Sequence, residues 1–150
     1  MDSQLTLGNE LRKLVEARIE RTLKGIEDTL QRITENQKIS LQDLKEDIQS
    51  LEGSFNLLSQ KWNLEVLYTL FLKTVVSFSE LKKILGVNSR TLSDKLKSLK
   101  QYGYIQRTVK AGPPLRVEYS LTPRGKNTVL LALPLLYYSS SYTSFHNSEE

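Results

Sequence analysis

Small polar and basic side chains are concentrated on one face of a helix predicted at residues 89–102. Leu92, Leu96 and Leu99 recur at helical spacing and are expected to face a core. The opposite face then carries Ser89, Arg90, Thr91, Ser93, Asp94, Lys95 and Lys97. Arginine forks onto guanine, lysine reaches base edges or phosphates, and short polar side chains fit the major groove. Asp94 would accept from cytosine or pair with a lysine. The pattern predicts a recognition helix for double-stranded DNA; the alternative is an ordinary solvated helix face.

The segments before this helix follow the plan of a helix-turn-helix. Apolar spacing predicts a first helix at about residues 61–72 and a second helix for which Ser79 is the expected N-cap. Gly86 stands just past the second helix, where a left-handed backbone favours glycine. Asn88 or Ser89 then caps the recognition helix. The turn between the two helices is short, as this motif requires.

A basic β-hairpin, or wing, is predicted at residues 105–121. Gly112, Pro113 and Pro114 form its tip, because proline cannot donate in a strand ladder. The connector at 74–77 adds a third strand in many winged helices. Thr122 and Pro123 begin the next helix. The cations expected to contact the DNA backbone or minor groove are Arg107, Lys110, Arg116 and Arg124.

A helical extension is predicted at residues 1–55, where apolar residues recur as in a coiled-coil seam. The phase changes before Leu41, and Ser40 with Asp43 resembles a capping box. Either one helix contains a stutter or two helices meet near residues 36–40. The apolar stripe requires a partner, and we expect a second copy, giving a homodimer; packing within the chain is the alternative.

The rest of the chain completes a three-part organisation. Residues 56–126 are the predicted winged helix-turn-helix domain, and residues 127–150 a C-terminal helix and tail. Pro134 is expected to kink or end that helix, and the Ser-rich tail from Ser139 to be mobile. The N-terminal and C-terminal helices are the expected dimer contacts. The fold class is mainly α with a small β-hairpin wing (α+β).

Charge is distributed unevenly along the chain. Residues 1–58 hold 8 Lys and Arg against 11 Asp and Glu, a net of −3, whereas residues 59–126 hold 13 against 4, a net of +9. The basic segment coincides with the predicted DNA-binding domain and should attract polyanions. The acidic extension is a possible site for a protein partner.

Other function classes find little support. Cysteine is absent, which excludes disulfides and thiol chemistry in this chain, and the single histidine, His146, is expected to be solvated rather than a metal ligand. No catalytic pairing, phosphate loop or metal cluster is visible, so we expect no enzyme activity, metal or cofactor. No apolar run is long enough to span a bilayer, and we expect a soluble, cytoplasmic protein without a membrane partner.

Several short motifs resemble the HxlR-type winged helix-turn-helix transcription regulators, relatives of the MarR group. They are Lys61-Trp62, the segments 78–81, 92–96 and 103–105, and the string 116–125, which reads Arg-Val-Glu-Tyr-Ser-Leu-Thr-Pro-Arg-Gly. The resemblance covers roughly residues 56–138 and implies a dimeric DNA-binding regulator. Ser59 and Gln60 replace the glycines usual before Lys-Trp, the cysteine used by some members for sensing is absent, and the acidic extension lies outside the usual plan.

Three functions remain open from the sequence. The first is a dimeric, sequence-specific transcription regulator that reads the major groove with residues 89–102 and the backbone or minor groove with the wing. The second is a weakly specific architectural DNA-binding protein. The third is a protein-interaction module that uses the acidic coil.

Overall fold

The computed structural model describes residues 2–146. Its elements are α1 (Asp2–Asn36), α2 (Leu41–Ser59), α3 (Asn63–Lys73), β1 (Val75–Ser77), α4 (Phe78–Leu85), α5 (Ser89–Gln101), β2 (Ile105–Lys110), β3 (Arg116–Leu121) and α6 (Pro123–His146). The chain divides after Leu51 into two compact units. The second unit contains the helix-turn-helix and the sheet, which confirms the predicted fold class.

The N-terminal extension consists of two helices rather than one long helix. Ser40 begins α2 through a reciprocal capping box: its backbone N–H donates to the Asp43 carboxylate at 3.2 Å, and the Asp43 N–H donates to Ser40 Oγ at 3.1 Å. The Ser40 hydroxyl and backbone N–H lower the pKa of the Asp43 carboxyl. Of the two alternatives left by the sequence, the break near residues 36–40 is therefore confirmed.

The sheet has three antiparallel strands in the order β1-β3-β2. The short strand β1 pairs Val75 with Ser120 and Ser77 with Glu118. Strands β2 and β3 form the wing hairpin, with Lys110 opposite Arg116 at its outer end. The third strand expected from the 74–77 connector is thus present.

One core connects α3, the helix-turn-helix and the sheet. Its buried apolar residues are Leu57, Val66, Leu67, Leu70, Val76, Leu81, Val87, Leu92, Leu96, Leu99, Tyr104, Ile105, Tyr119 and Val129. Trp62 packs against the edge of this cluster from the N-cap position of α3. Because α5 contributes three of these side chains, the core fixes which face of α5 points away from it.

The N-cap of α4 is Ser77, not Ser79, which corrects the sequence prediction. The Ser77 hydroxyl accepts from the Glu80 N–H at 3.2 Å, and the Ser77 N–H donates to the Glu80 carboxylate at 3.1 Å. The box needs a carboxylate three residues after the cap, and only Ser77 has one at that spacing. Gly86 ends the helix with a φ of 64°, as predicted.

Thr122 joins the start of α6 to the corner between α5 and β2. Its hydroxyl donates to the Gly103 carbonyl at 2.6 Å and accepts from the Gly125 N–H at 3.0 Å, which confirms the predicted cap. A β-carbon on Gly125 would meet the backbone carbonyl of Tyr104. The Thr-Pro-Arg-Gly segment therefore allows α6 to approach this corner closely.

The C-terminal helix is longer than the sequence predicted. Pro134 lies inside α6 and does not end it, although its ring removes one backbone hydrogen bond. The helix continues to His146, so residues 139–146 of the predicted tail are helical. The remainder of that predicted tail, 147–150, lies outside the described residues.

The capping assignment predicts different effects for two neighbouring serines. We expect Ser77→Ala to lower the free energy of unfolding by about 1 kcal/mol, because the Glu80 N–H loses its acceptor. Ser79→Ala is the matched control and should stay within about 0.5 kcal/mol of the wild type. Urea titration followed by circular dichroism measures both changes. A larger loss for Ser79→Ala than for Ser77→Ala would contradict the assignment.

Candidate nucleic-acid interface

Helix α5 is held by its cap and by its buried leucines. Asn88 is the N-cap, and its side-chain oxygen accepts from the Thr91 N–H at 2.8 Å. Leu92 and Leu99 are 0% exposed and Leu96 is 2% exposed. The helix can therefore neither rotate nor slide without exposing these side chains, and its polar face is fixed outward.

The structure places the seven predicted α5 residues on or beside this outward face. Ser89, Arg90, Ser93, Asp94 and Lys97 are exposed. Thr91 and Lys95 are half-buried at its edge. Arg90, Asp94 and Lys97 follow the spacing of one helical row and define the centre of the face.

Lys95 has a partner from another element. Its ammonium donates to the Gln60 side-chain oxygen at 3.2 Å, across 35 positions in sequence. Gln60 lies in the short junction between α2 and α3. Lys95 is thus directed toward this junction rather than toward the centre of the exposed face.

The wing cations do not form one cluster. Arg107 is opposite Tyr119, whereas Lys110 is opposite Arg116. Because side chains alternate between the two faces of a strand, Arg107 lies on the Tyr119 face and the other two cations lie on the opposite face. All three cations are exposed. The hairpin therefore presents positive charge on both sides.

Two carboxylates accompany the cations of the wing. Glu118 lies 3.4 Å from the Lys110 ammonium, and its side chain is only 16% exposed. Glu80 has a lowered pKa because the Ser77 backbone N–H and hydroxyl donate to it, with smaller contributions from the positive charges of Lys73 and Arg116. Lys110 is consequently the wing cation whose charge is most directly compensated.

Arg124 lies against the corner that follows α5. Its guanidinium carbon is 5.1 Å from the centroid of the Tyr104 ring, a cation–π distance. The ring is nearly buried, which gives the arginine a fixed support. Arg124 thus sits where α5, β2 and α6 meet rather than at the wing tip.

Two residues of this surface were missed by the sequence analysis. Gln101 is exposed and continues the row of Arg90, Asp94 and Lys97 by one more turn, so helical periodicity was sufficient to find it. Gln60 had no such signal, because only the folded chain brings it to Lys95.

These elements define a winged helix-turn-helix protein. The order is a helix pair joined by a short turn, then a hairpin whose sheet is completed by β1. In the part of the chain that the structure describes, no helix has the length and apolar character needed to cross a membrane. Nor do His, Asp and Glu side chains group there in a way that would hold a metal ion.

The chain belongs to the HxlR-like helix-turn-helix family, whose pattern matches residues 57–145. The chain is 35% identical over 77 residues to YdzF of Bacillus subtilis, which is named an HTH-type transcriptional regulator; the match covers 51% of this chain and 71% of YdzF. YdzF is thus named for a non-enzymatic function.

Solved structures show the same fold. A protein of Enterococcus faecalis V583, described as a transcriptional regulator of the MarR family, is 27% identical with a TM-score of 0.58, covering 68% of this chain and 92% of its own. The transcriptional regulator YodB of B. subtilis, in its reduced form, is 23% identical with a TM-score of 0.57, covering 62% and 91%. The latter similarity concerns the fold alone.

Proposed function

We propose that this protein is a transcription regulator that binds double-stranded DNA as a homodimer, with α5 in the major groove. The observation that carries the proposal is the outward face of α5. This face combines a fork-shaped arginine, Arg90, with an exposed lysine, Lys97, and small hydroxyl side chains. Arginine reads guanine by two parallel hydrogen bonds, and small side chains let the helix approach base edges.

The other predicted site residues have supporting roles. Ser89, Thr91 and Ser93 lie near the N-terminus of α5, where hydroxyl and backbone N–H groups favour phosphate or base edges. Asp94 accepts from a cytosine amino group and disfavours other bases by repulsion. Arg107, Lys110 and Arg116 contact the backbone or minor groove beside the helix. Arg124 contacts a phosphate from its position on Tyr104.

Dimer formation is supported by exposed apolar surface. On α1 and α2 the exposed side chains include Leu23, Ile26, Leu30, Leu44, Ile48, Leu51 and Phe55. On α6 they include Leu131, Leu135 and Leu136. Phe55 and these three leucines also line an apolar cavity of about 310 Å³ in the second unit. Surface of this kind marks an interaction site, and two-fold dimers are the commonest assemblies.

A dimer also matches the geometry of DNA. Two copies of α5 related by a two-fold axis would enter successive major grooves about one helical turn, roughly 34 Å, apart. The acidic charge of the extension keeps that part of the chain away from phosphates. In this proposal the basic domain binds DNA, and the helical extension joins the two protomers.

DNA contact by α5 predicts a specific change in salt dependence. We expect the double substitution Arg90→Ala, Lys97→Ala to weaken binding to a mixed-sequence duplex. The slope of log affinity against log salt should become shallower by up to about 1.8, because each lost phosphate contact contributes about 0.9. Fluorescence anisotropy across a salt series measures this slope.

The matched control is Arg21→Ala, Lys24→Ala, which removes the same two charges from exposed positions of α1. This variant should keep the wild-type affinity and slope to within experimental error. If both double variants weakened binding equally, net charge rather than the α5 face would account for affinity.

The dimer interface predicts an effect of one exposed aromatic residue. Phe55 is 64% exposed, so Phe55→Lys should leave the fold intact while removing apolar contact from both protomers. Two lost contacts of about 1.5 kcal/mol each raise the dimer dissociation constant by roughly a hundredfold. Sedimentation equilibrium at micromolar concentration measures the change.

Leu115→Lys is the control, since Leu115 is 72% exposed at the wing tip and lies outside the proposed interface. It should sediment as the wild-type dimer. A wild-type chain that is monomeric at these concentrations would contradict the proposed assembly.

A further inference from the structure

The junction between α2 and α3 has a fixed shape. The Leu57 carbonyl at the end of α2 accepts from the Gln60 backbone N–H at 3.3 Å and from Asn63 Nδ2 at 2.7 Å. Asn63 is fully buried beside the core residue Val66. Trp62 adopts a left-handed backbone with a φ of 77°, which a bulky residue keeps only when its surroundings hold it there. Gln60 is therefore attached to a rigid support.

The Gln60 side chain has a defined orientation at this support. Lys95 Nζ carries only donors, so the amide oxygen, rather than the amide nitrogen, must face it across the 3.2 Å contact. The Gln60 amide NH₂ group then lies on the other arm of the carboxamide, which leaves it available to another acceptor. The pair thus presents an ammonium and an amide NH₂ group together, and both are hydrogen-bond donors to phosphate.

The neutral amide of Gln60 leaves the positive charge of Lys95 uncompensated. A carboxylate, such as Glu118 beside Lys110, compensates a lysine, whereas a neutral amide orients the ammonium without neutralising it. Lys95 is half-buried at the edge of α5 and lies away from Arg90 and Lys97 at the centre of the face. Such a position at the edge of a helix in the groove faces the sugar–phosphate strand rather than the base edges.

We propose that Gln60 is a DNA-binding residue from outside the helix-turn-helix. It positions the Lys95 ammonium on a backbone phosphate and donates to the same phosphate from its own amide group. This role rests on the proposed binding of DNA by α5. The α2–α3 junction would then help to position the recognition helix on the duplex, in addition to the buried leucines that orient it.

The test is a double-mutant cycle on binding to a mixed-sequence duplex, measured by anisotropy across a salt series. Gln60→Ala should weaken binding roughly three- to tenfold, the range of one lost hydrogen bond, with an unchanged salt slope because no charge is removed. In a Lys95→Ala background the same change should have a clearly smaller effect, because only the hydrogen bond from the Gln60 amide group to the phosphate is left to lose. In a Lys97→Ala background, the matched control, its full effect should remain.

A second variant tests the role of the neutral amide. Gln60→Glu should pair with Lys95, cancel its charge and make the salt slope shallower by about 0.9. Asn56→Asp makes the same amide-to-carboxylate change one turn earlier, at an exposed position of α2, and should leave the slope near that of the wild type.

The outcomes separate this role from the proposed function. A wild-type chain that fails to bind the duplex at low salt overturns DNA binding and the Gln60 role together. A wild-type chain that binds, with Gln60→Ala either silent or equally effective in the Lys95→Ala and Lys97→Ala backgrounds, overturns the Gln60 role alone. A Gln60→Glu slope equal to that of Asn56→Asp has the same consequence.

Discussion

Burial of three leucines on one side of α5 is the constraint on which the rest of the surface depends. Leu92, Leu96 and Leu99 belong to the same core as α3 and the sheet, so the orientation of α5 is fixed by packing rather than by its polar residues. Each such side chain contributes about 1.5–3 kcal/mol when buried, which makes any rotation of the helix costly. Packing of the leucines therefore sets the direction of every polar side chain of α5, and it places the exposed row of the helix on its outward face.

Lys110, Lys95 and Arg124 differ in whether a neighbouring group compensates their positive charge. Lys110 is paired with Glu118 in the wing, Lys95 is oriented by a neutral amide, and Arg124 rests on an aromatic ring. An ion pair lowers the local positive charge, whereas an amide or a ring fixes a cation and leaves its charge available. Residues 59–126 carry a net charge of +9, and of these three cations Lys110 is the one paired with a carboxylate.

Local patterns predicted most of this architecture, and long-range contacts account for what they missed. The periodicity of the leucines, the Asn88 cap, Gly86 and the Thr-Pro start of α6 were all visible in the sequence because each acts over a few residues. The N-cap of α4 was also predictable in principle, because only Ser77, and not Ser79, has a glutamate three residues later. The contact of Gln60 could not be predicted, because its partner Lys95 is 35 residues away. The continuation of α6 past Pro134 runs against the local rule that proline ends or kinks a helix.

Selection of binding sites from randomised duplexes shows whether two fixed recognition helices read sequence together. We expect an enriched, pseudo-palindromic motif whose half-sites are centred about one helical turn, roughly 10–10.5 base pairs, apart. A pool that binds in a salt-sensitive way but yields no enriched motif would contradict it, and would instead indicate a weakly specific DNA-binding protein.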